Sequence, residues 1–168
     1  MSEIRNRSEI PVADKWATED MYINDQAWEE ELATLEQDKD ALAAFAGKLS
    51  ESGKTLYDYL YRMEMTDAKA SLLANYCMRK SDEDTRDATY QAMSGKFMSA
   101  IVGLGAALSF ETPEIMAIED DVLEGFYAAC PGLEKYRRYL TNMRRRKAHT
   151  LSAAEEKLLA SAGEVSGA

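Results

Sequence analysis

His149 is the one histidine in this chain of 168 residues, and that count removes several chemistries at once. The zinc motif HExxH needs two imidazoles one helical turn apart so that both reach a single ion, with a glutamate to activate the bound water. Carboxylate-bridged di-metal bundles need a glutamate three residues before each histidine, and Arg146 holds that place here. A serine or cysteine nucleophile would need His149 as its base. The histidine's setting, "KAHTLSAAEE", reads instead as a connection between a basic helix end and the capping box Ser152/Glu155.

The acids of "SDEDTRDATYQAM", residues 81–93, are the other group whose types invite chemistry. A calcium loop wants alternating acids, a glycine at the sharp turn and a closing glutamate. Asp82 and Asp84 alternate, but Arg86 and Asp87 follow, and Met93 ends the stretch. The spacing predicts a helix start: Ser81 or Asp82 as cap, with Glu83, Asp84 and Asp87 near the positive end of the dipole. "GLGAAL", from Gly103, has the wrong spacing for a phosphate loop and lies within a helical pattern. Cys77 and Cys130 sit on helix-like apolar faces and are read as buried free thiols. On residues alone, therefore, no catalytic, cofactor-binding or metal-ligating residue is assigned.

Thirty acids against twenty lysines and arginines give a net charge of −10. That balance repels a nucleic-acid backbone, which is bound through cations that displace counterions. The basic run Arg144 to Lys147, following Arg137 and Arg138, reads as a helix end, where cations oppose the dipole. The longest apolar run, near Ala100 to Phe110, is interrupted by Gly103, Gly105 and Ser109 and falls short of a membrane span. The N-terminus carries no apolar signal segment, so the expectation is a cytoplasmic protein with neither nucleic-acid nor membrane partner.

With three prolines, nine glycines and 46% hydrophobic residues, the elements that must position any site are helices. The predicted fold is all-α, an array of six to eight helices without a sheet. Residues 1–24 form an irregular lead-in packed on the domain, and 25–168 form one lobe, with two sub-bundles meeting near 110–113. Asn24 or Asp25 caps a first helix whose stripe is Trp28, Leu32, Leu35, Leu42, Phe45 and Leu49, closed by Gly47 and Gly53. From 55 to 79 the pattern leaves one bent helix and two short ones both open, because Thr66 or Asp67 can cap anew. Tyr90, Met93, Phe97, Ile101, Leu104 and Leu108 mark a third helix, in which Gly103 and Gly105 predict close approach by a neighbour. Thr112 and Pro113 read as cap and first position of a short helix over 114–118. Helices over 121–129 and 133–146 follow, and a last one carries Leu158 and Leu159 up to Gly163.

Three stretches in register carry a resemblance: "WATEDMYINDQAW" (16–28), "SDEDTRDATYQAM" (81–93) and "PGLEKYRRYLTNMRRRKAHTLSAAEEKLLASAGEV" (131–165). Together they are similar to the opening portion of bacterial oligoendopeptidase F, a zinc metallopeptidase family related to thimet oligopeptidase. The resemblance implies that the HExxH zinc site lies in a C-terminal catalytic domain beyond this sequence, so no catalytic residue carries over. It further implies a helical wall of a deep channel that admits oligopeptides, with that catalytic domain as partner and no cofactor in this chain. Alone, such a domain is expected to be inactive and to self-associate through an uncovered apolar face. The rival reading is a free-standing helical binding or scaffold protein derived from the same lobe.

Overall fold

The structure, a computed structural model, describes residues 9–145. Two 3-10 turns, Val12–Asp14 and Thr18–Asp20, lead into six α-helices: α1 Asp25–Ala43, α2 Gly53–Glu83, α3 Ala88–Ala107, α4 Glu111–Ala117, α5 Asp120–Ala129 and α6 Arg137–Arg145. A 3-10 segment, Pro131–Tyr136, runs directly into α6. The fold is all-α, with no strand among the described residues, and its six α-helices stand at the low end of the expected range. His149, the Ser152/Glu155 box, Leu158, Leu159 and Gly163 lie outside the described residues.

Asn24 is the cap of α1, accepting the Ala27 N–H on its side chain at 2.9 Å. Asp25 is helical, and its carboxylate accepts the Tyr76 hydroxyl at 2.7 Å. Trp28, Leu35 and Leu42 are buried as the stripe predicts, but α1 stops at Ala43, so Phe45 and Leu49 extend the apolar face from a turn. Gly47, at φ +79°, allows that turn, which an L side chain would strain. Glu114 of α4 accepts the freed N–H groups of Gly47 and Leu49, at 2.5 and 3.3 Å.

Between 55 and 79 there is one helix. α2 is continuous for 31 residues, roughly 46 Å, because Thr66 opens no new helix: its hydroxyl donates back to the Arg62 carbonyl at 3.0 Å. Gly53 lies within α2, whose cap is Ser52.

The acidic stretch is redistributed. Ser81, Asp82 and Glu83 end α2 rather than start α3, Asp84 is the C-cap, and Asp87 caps α3 by accepting the Thr89 N–H at 2.8 Å. The cap falls later than expected because the Asp84 carboxylate accepts twice from the Arg86 guanidinium, at 2.9 Å each, and once from the Arg86 backbone N–H, at 3.0 Å. Arg79 pairs with Asp82 at 3.0 Å, offsetting an acid at the negative end of the dipole. The Arg86 side chain holds the Asp84 carboxyl at about 2, below the ordinary aspartate value of 3.8. With the folded pKa lowered, the loop's contribution is complete above the ordinary value and is lost as pH falls toward about 2. Acid-unfolding curves of Asp84→Asn should therefore lose part of their slope between about pH 4 and 2, and curves that superimpose on the parent's would refute this.

Two further boundaries differ from expectation. α4 begins at Glu111, with Phe110 at its cap position, so Thr112 and Pro113 lie in its first turn, where proline costs no hydrogen bond. Gly103 and Gly105 meet nothing within 4 Å of where a Cβ would stand; the close approach predicted for them occurs at Gly53, against Phe126 of α5.

Buried side chains form two clusters joined by α2. Trp28, Leu35, Leu73, Tyr76, Cys77, Met93 and Phe97 fill one, between α1, α2 and the first half of α3. Leu56, Tyr59, Leu60, Leu104, Ile115, Leu133 and Leu140 belong to the other, under α4 to α6. Cys77 is buried and Cys130, at the end of α5, is half-buried; both are free thiols. Arg144 donates to the Ile115 carbonyl at 2.9 Å and also reaches Ile118 and Asp120, while Arg137 bridges Glu124 and Glu134 over the Tyr127 ring. These cations fasten helix ends. The stretch Ala88–Ala117 is long and apolar enough to cross a membrane by length and composition, and one side of it packs on α1 and α2.

Candidate functional site

Between the two clusters, the middle of α2 carries a stripe at four-residue spacing, Tyr57, Tyr61 and Met65, which helical geometry puts on one face. Tyr61 and Met65 are each 47% exposed, so large apolar surface stands open there. The Tyr57 and Tyr61 rings stack with centroids 6.0 Å apart, and Tyr136 tilts against Tyr57 at 6.1 Å. Gly132 keeps room for this arrangement: a Cβ there would lie 3.0 Å from the Tyr57 ring.

A groove of about 500 Å³ runs along one flank, floored by Phe45, Tyr61 and Met65 and edged by Asp38, Asp58, Arg62 and Lys69. Lys69 is committed within the fold, to Asp38 at 2.5 Å and to the Thr34 hydroxyl at 2.7 Å. Lys54 likewise holds Asp58 at 2.5 Å. The edges are thus largely neutralised.

Across α2 a second hollow, of about 350 Å³, is lined by Leu60, Met63, Glu64, Asp67, Lys135, Tyr136 and Tyr139. Glu64 accepts from Lys135 at 2.5 Å and from the Tyr136 hydroxyl at 2.6 Å, and these bonds hold its carboxyl below the ordinary value. Burial raises the Asp67 carboxyl. Behind the hollow Glu111, 9% exposed, accepts the Tyr139 hydroxyl at 2.7 Å. The Tyr59 hydroxyl is buried near Glu111 with no hydrogen-bond partner of good geometry.

Burial raises the hydroxyls of Tyr59, Tyr136 and Tyr139 and the Cys77 thiol, which keeps all four protonated and poor nucleophiles. Among the described residues no group of three His, Cys, Asp or Glu could hold a metal ion. What the surface offers is aromatic and thioether contact edged by paired charges, a chemistry suited to binding. The sequence reading assigned no site residue and passed over Tyr61 and Met65, although their spacing from Tyr57 was a usable signal.

Known proteins give this surface a setting. A family model described as Oligopeptidase F matches residues 114–168. Oligopeptidase PepF of Bacillus subtilis (strain 168) is 31% identical over 166 residues, covering 99% of this chain and 25% of its own length. Along nearly its whole length the chain is similar to about a quarter of that oligopeptidase. The plasmid-encoded oligoendopeptidase F of Lactococcus lactis subsp. cremoris agrees, at 32% identity over 96% of this chain and 27% of its own. A crystal structure described as that of a peptidase, from Chlamydophila abortus, superimposes with a TM-score of 0.82 at 26% identity, over 95% of this chain and 27% of that one. This chain thus spans about a quarter of the oligoendopeptidase F relatives it matches.

Proposed function

We propose that this domain forms the substrate-access wall of a cytoplasmic, zinc-dependent endopeptidase of oligoendopeptidase F type, whose catalytic part lies in polypeptide outside this chain. The observation that carries the reading is the 31% identity along 99% of this chain set against 25% of the relative. The described residues do not fit a zinc ion, so the metal that activates water in such enzymes is assigned to the other part. The described part of residues 25–168 acts as one lobe, with residues 9–24 of the lead-in laid against it by Trp16, over whose ring the Arg79 guanidinium sits at 4.8 Å. The open stripe Tyr61 and Met65, with the groove beside it, faces short unfolded peptides and holds their side chains by aromatic and thioether contact. We assign no catalytic, cofactor or metal residue to this chain.

Incubation with a short quenched fluorogenic peptide and added zinc tests the reading. The longer polypeptide that carries this domain should cleave the peptide, and the 168-residue chain should stay at the blank rate. Hydrolysis by the pure chain, or stoichiometric zinc retained after dialysis, would sink the proposal. A coding sequence that stops near residue 168 would favour the free-standing binding protein instead.

A further inference from the structure

Beyond Lys96, α3 is apolar on both sides. Its inner face buries Met93, Phe97 and Leu104. Its outer face presents Ala92, Gly95, Ser99, Val102 and Ala106, spaced three and four residues apart in alternation, and all five are exposed. Val102 is 66% exposed and the neighbouring Met98 50%. From Phe97 to Phe110 no residue is charged. Lys96, which holds Glu29 at 2.5 Å, is the last charge on α3, and the turns beyond it lack the outward charges that a solvent-facing helix normally carries. Gly95 and Gly103 meet nothing within 4 Å, so the space beside them is open.

We infer that the outer face of α3 is the docking surface for the polypeptide following this domain, an uncharged helix whose apolar side chains seat over the glycine and alanine positions. The inference rests on the proposed function, because it takes its occupant from the three quarters of the relatives' length that this chain does not span. The chain's path agrees. α6 is held to the end of α4 by Arg144, through the Ile115 and Ile118 carbonyls, and α4 follows α3 directly. The last described turn of α6 therefore lies against α4, the helix that follows α3. An anionic lipid surface is disfavoured by the charge of −10, and a second copy takes this face only where the following polypeptide is missing. Small side chains on one helix let its partner's axis approach closely, and Val102 and Met98 supply the apolar contact.

Thiol labelling decides the matter. Ser99→Cys and Ala106→Cys each place a thiol on the outer face, and peptide-level mass spectrometry separates them from Cys77 and Cys130. In the dilute 168-residue chain the introduced thiol should react freely with a maleimide. In the longer polypeptide it should react at least about tenfold more slowly, because a covered site is reached only through opening. Equal rates in the two proteins would overturn the inference. Protection of the longer polypeptide that appears only as its own concentration rises would overturn it in favour of a second copy; protection only with phosphatidylglycerol vesicles would overturn it in favour of a membrane. Peptidase activity of the longer polypeptide is read separately, so an active enzyme with an exposed thiol rejects the docking surface alone. An inactive one with a protected thiol rejects the function alone.

Discussion

Trp28→Ala lowers the stability of the domain by about 4 kcal/mol, the range of large aromatic deletions from a packed core. Trp28 is fully buried in the cluster that ties α1 to α2 and α3, beside Leu35, Leu73, Tyr76 and Cys77. Its indole N–H donates to the Leu73 carbonyl at 2.8 Å, so the residue sets the register of α1 on α2 as well as filling space. The loss is large against the roughly 5 to 15 kcal/mol that usually separates folded from unfolded domains. Urea unfolding followed by helical circular dichroism measures it through the midpoint. Trp28→Phe separates the two contributions, retaining most of the volume and losing the hydrogen bond, and should cost about 1 to 2 kcal/mol. Trp16→Ala is the internal comparison: that ring is half exposed and held by one guanidinium, so the change should cost about 1 kcal/mol or less. Equal losses at Trp16 and Trp28 would mean that the cluster does not organise the fold.

The parts of this fold that the sequence made legible are those fixed by local spacing. Trp28, Leu35 and Leu42 repeat at helical intervals and are buried where the period puts them. Asn24, one of the two caps expected there, caps α1 as side chains of its kind do. Local spacing failed where several residues compete for one role. Any of Ser81, Asp82, Asp84 and Asp87 can cap a helix, and the choice of Asp87 depends on Asp84 having closed a turn around Arg86. Thr66 is equally ambiguous, since the same hydroxyl can cap a new helix or bond back to Arg62 and leave the old one whole.

The candidate site was less legible for a different reason. Tyr57, Tyr61 and Met65 have a spacing visible in the sequence, but a four-residue apolar repeat reads equally well as core. Only the absence of packing over Tyr61 and Met65 among the described residues makes them a surface. α3 shows the converse: its glycines predict a neighbour, and the described residues supply none at Gly103 or Gly105. In both places the missing information is what lies across the surface. That lies between elements, beyond the reach of any window along the chain.

Gly53→Ala lowers stability by about 2 kcal/mol, although alanine is the better helix former by about 1 kcal/mol. A Cβ at residue 53 would stand 2.7 Å from the Phe126 carbonyl oxygen, 3.0 Å from its Cα and 3.1 Å from its Cβ. Two of those three atoms are backbone of α5, which no side-chain rotation can clear, so α5 must lift from the start of α2 and disturb Leu123 and Tyr127 in the core beneath. Glycine serves here for space and not for an unusual backbone angle, since Gly47 holds the one positive φ among the described residues. Gly103→Ala is the matched opposite, with nothing within 4 Å of its Cβ and a mid-helix position. In the 168-residue chain it should raise stability by about 0.5 to 1 kcal/mol. Thermal melts of the two variants should therefore shift in opposite directions. A shift of the same sign would remove the close packing of α2 on α5 as the reason for glycine at 53, because the substitution is identical and only the surroundings differ.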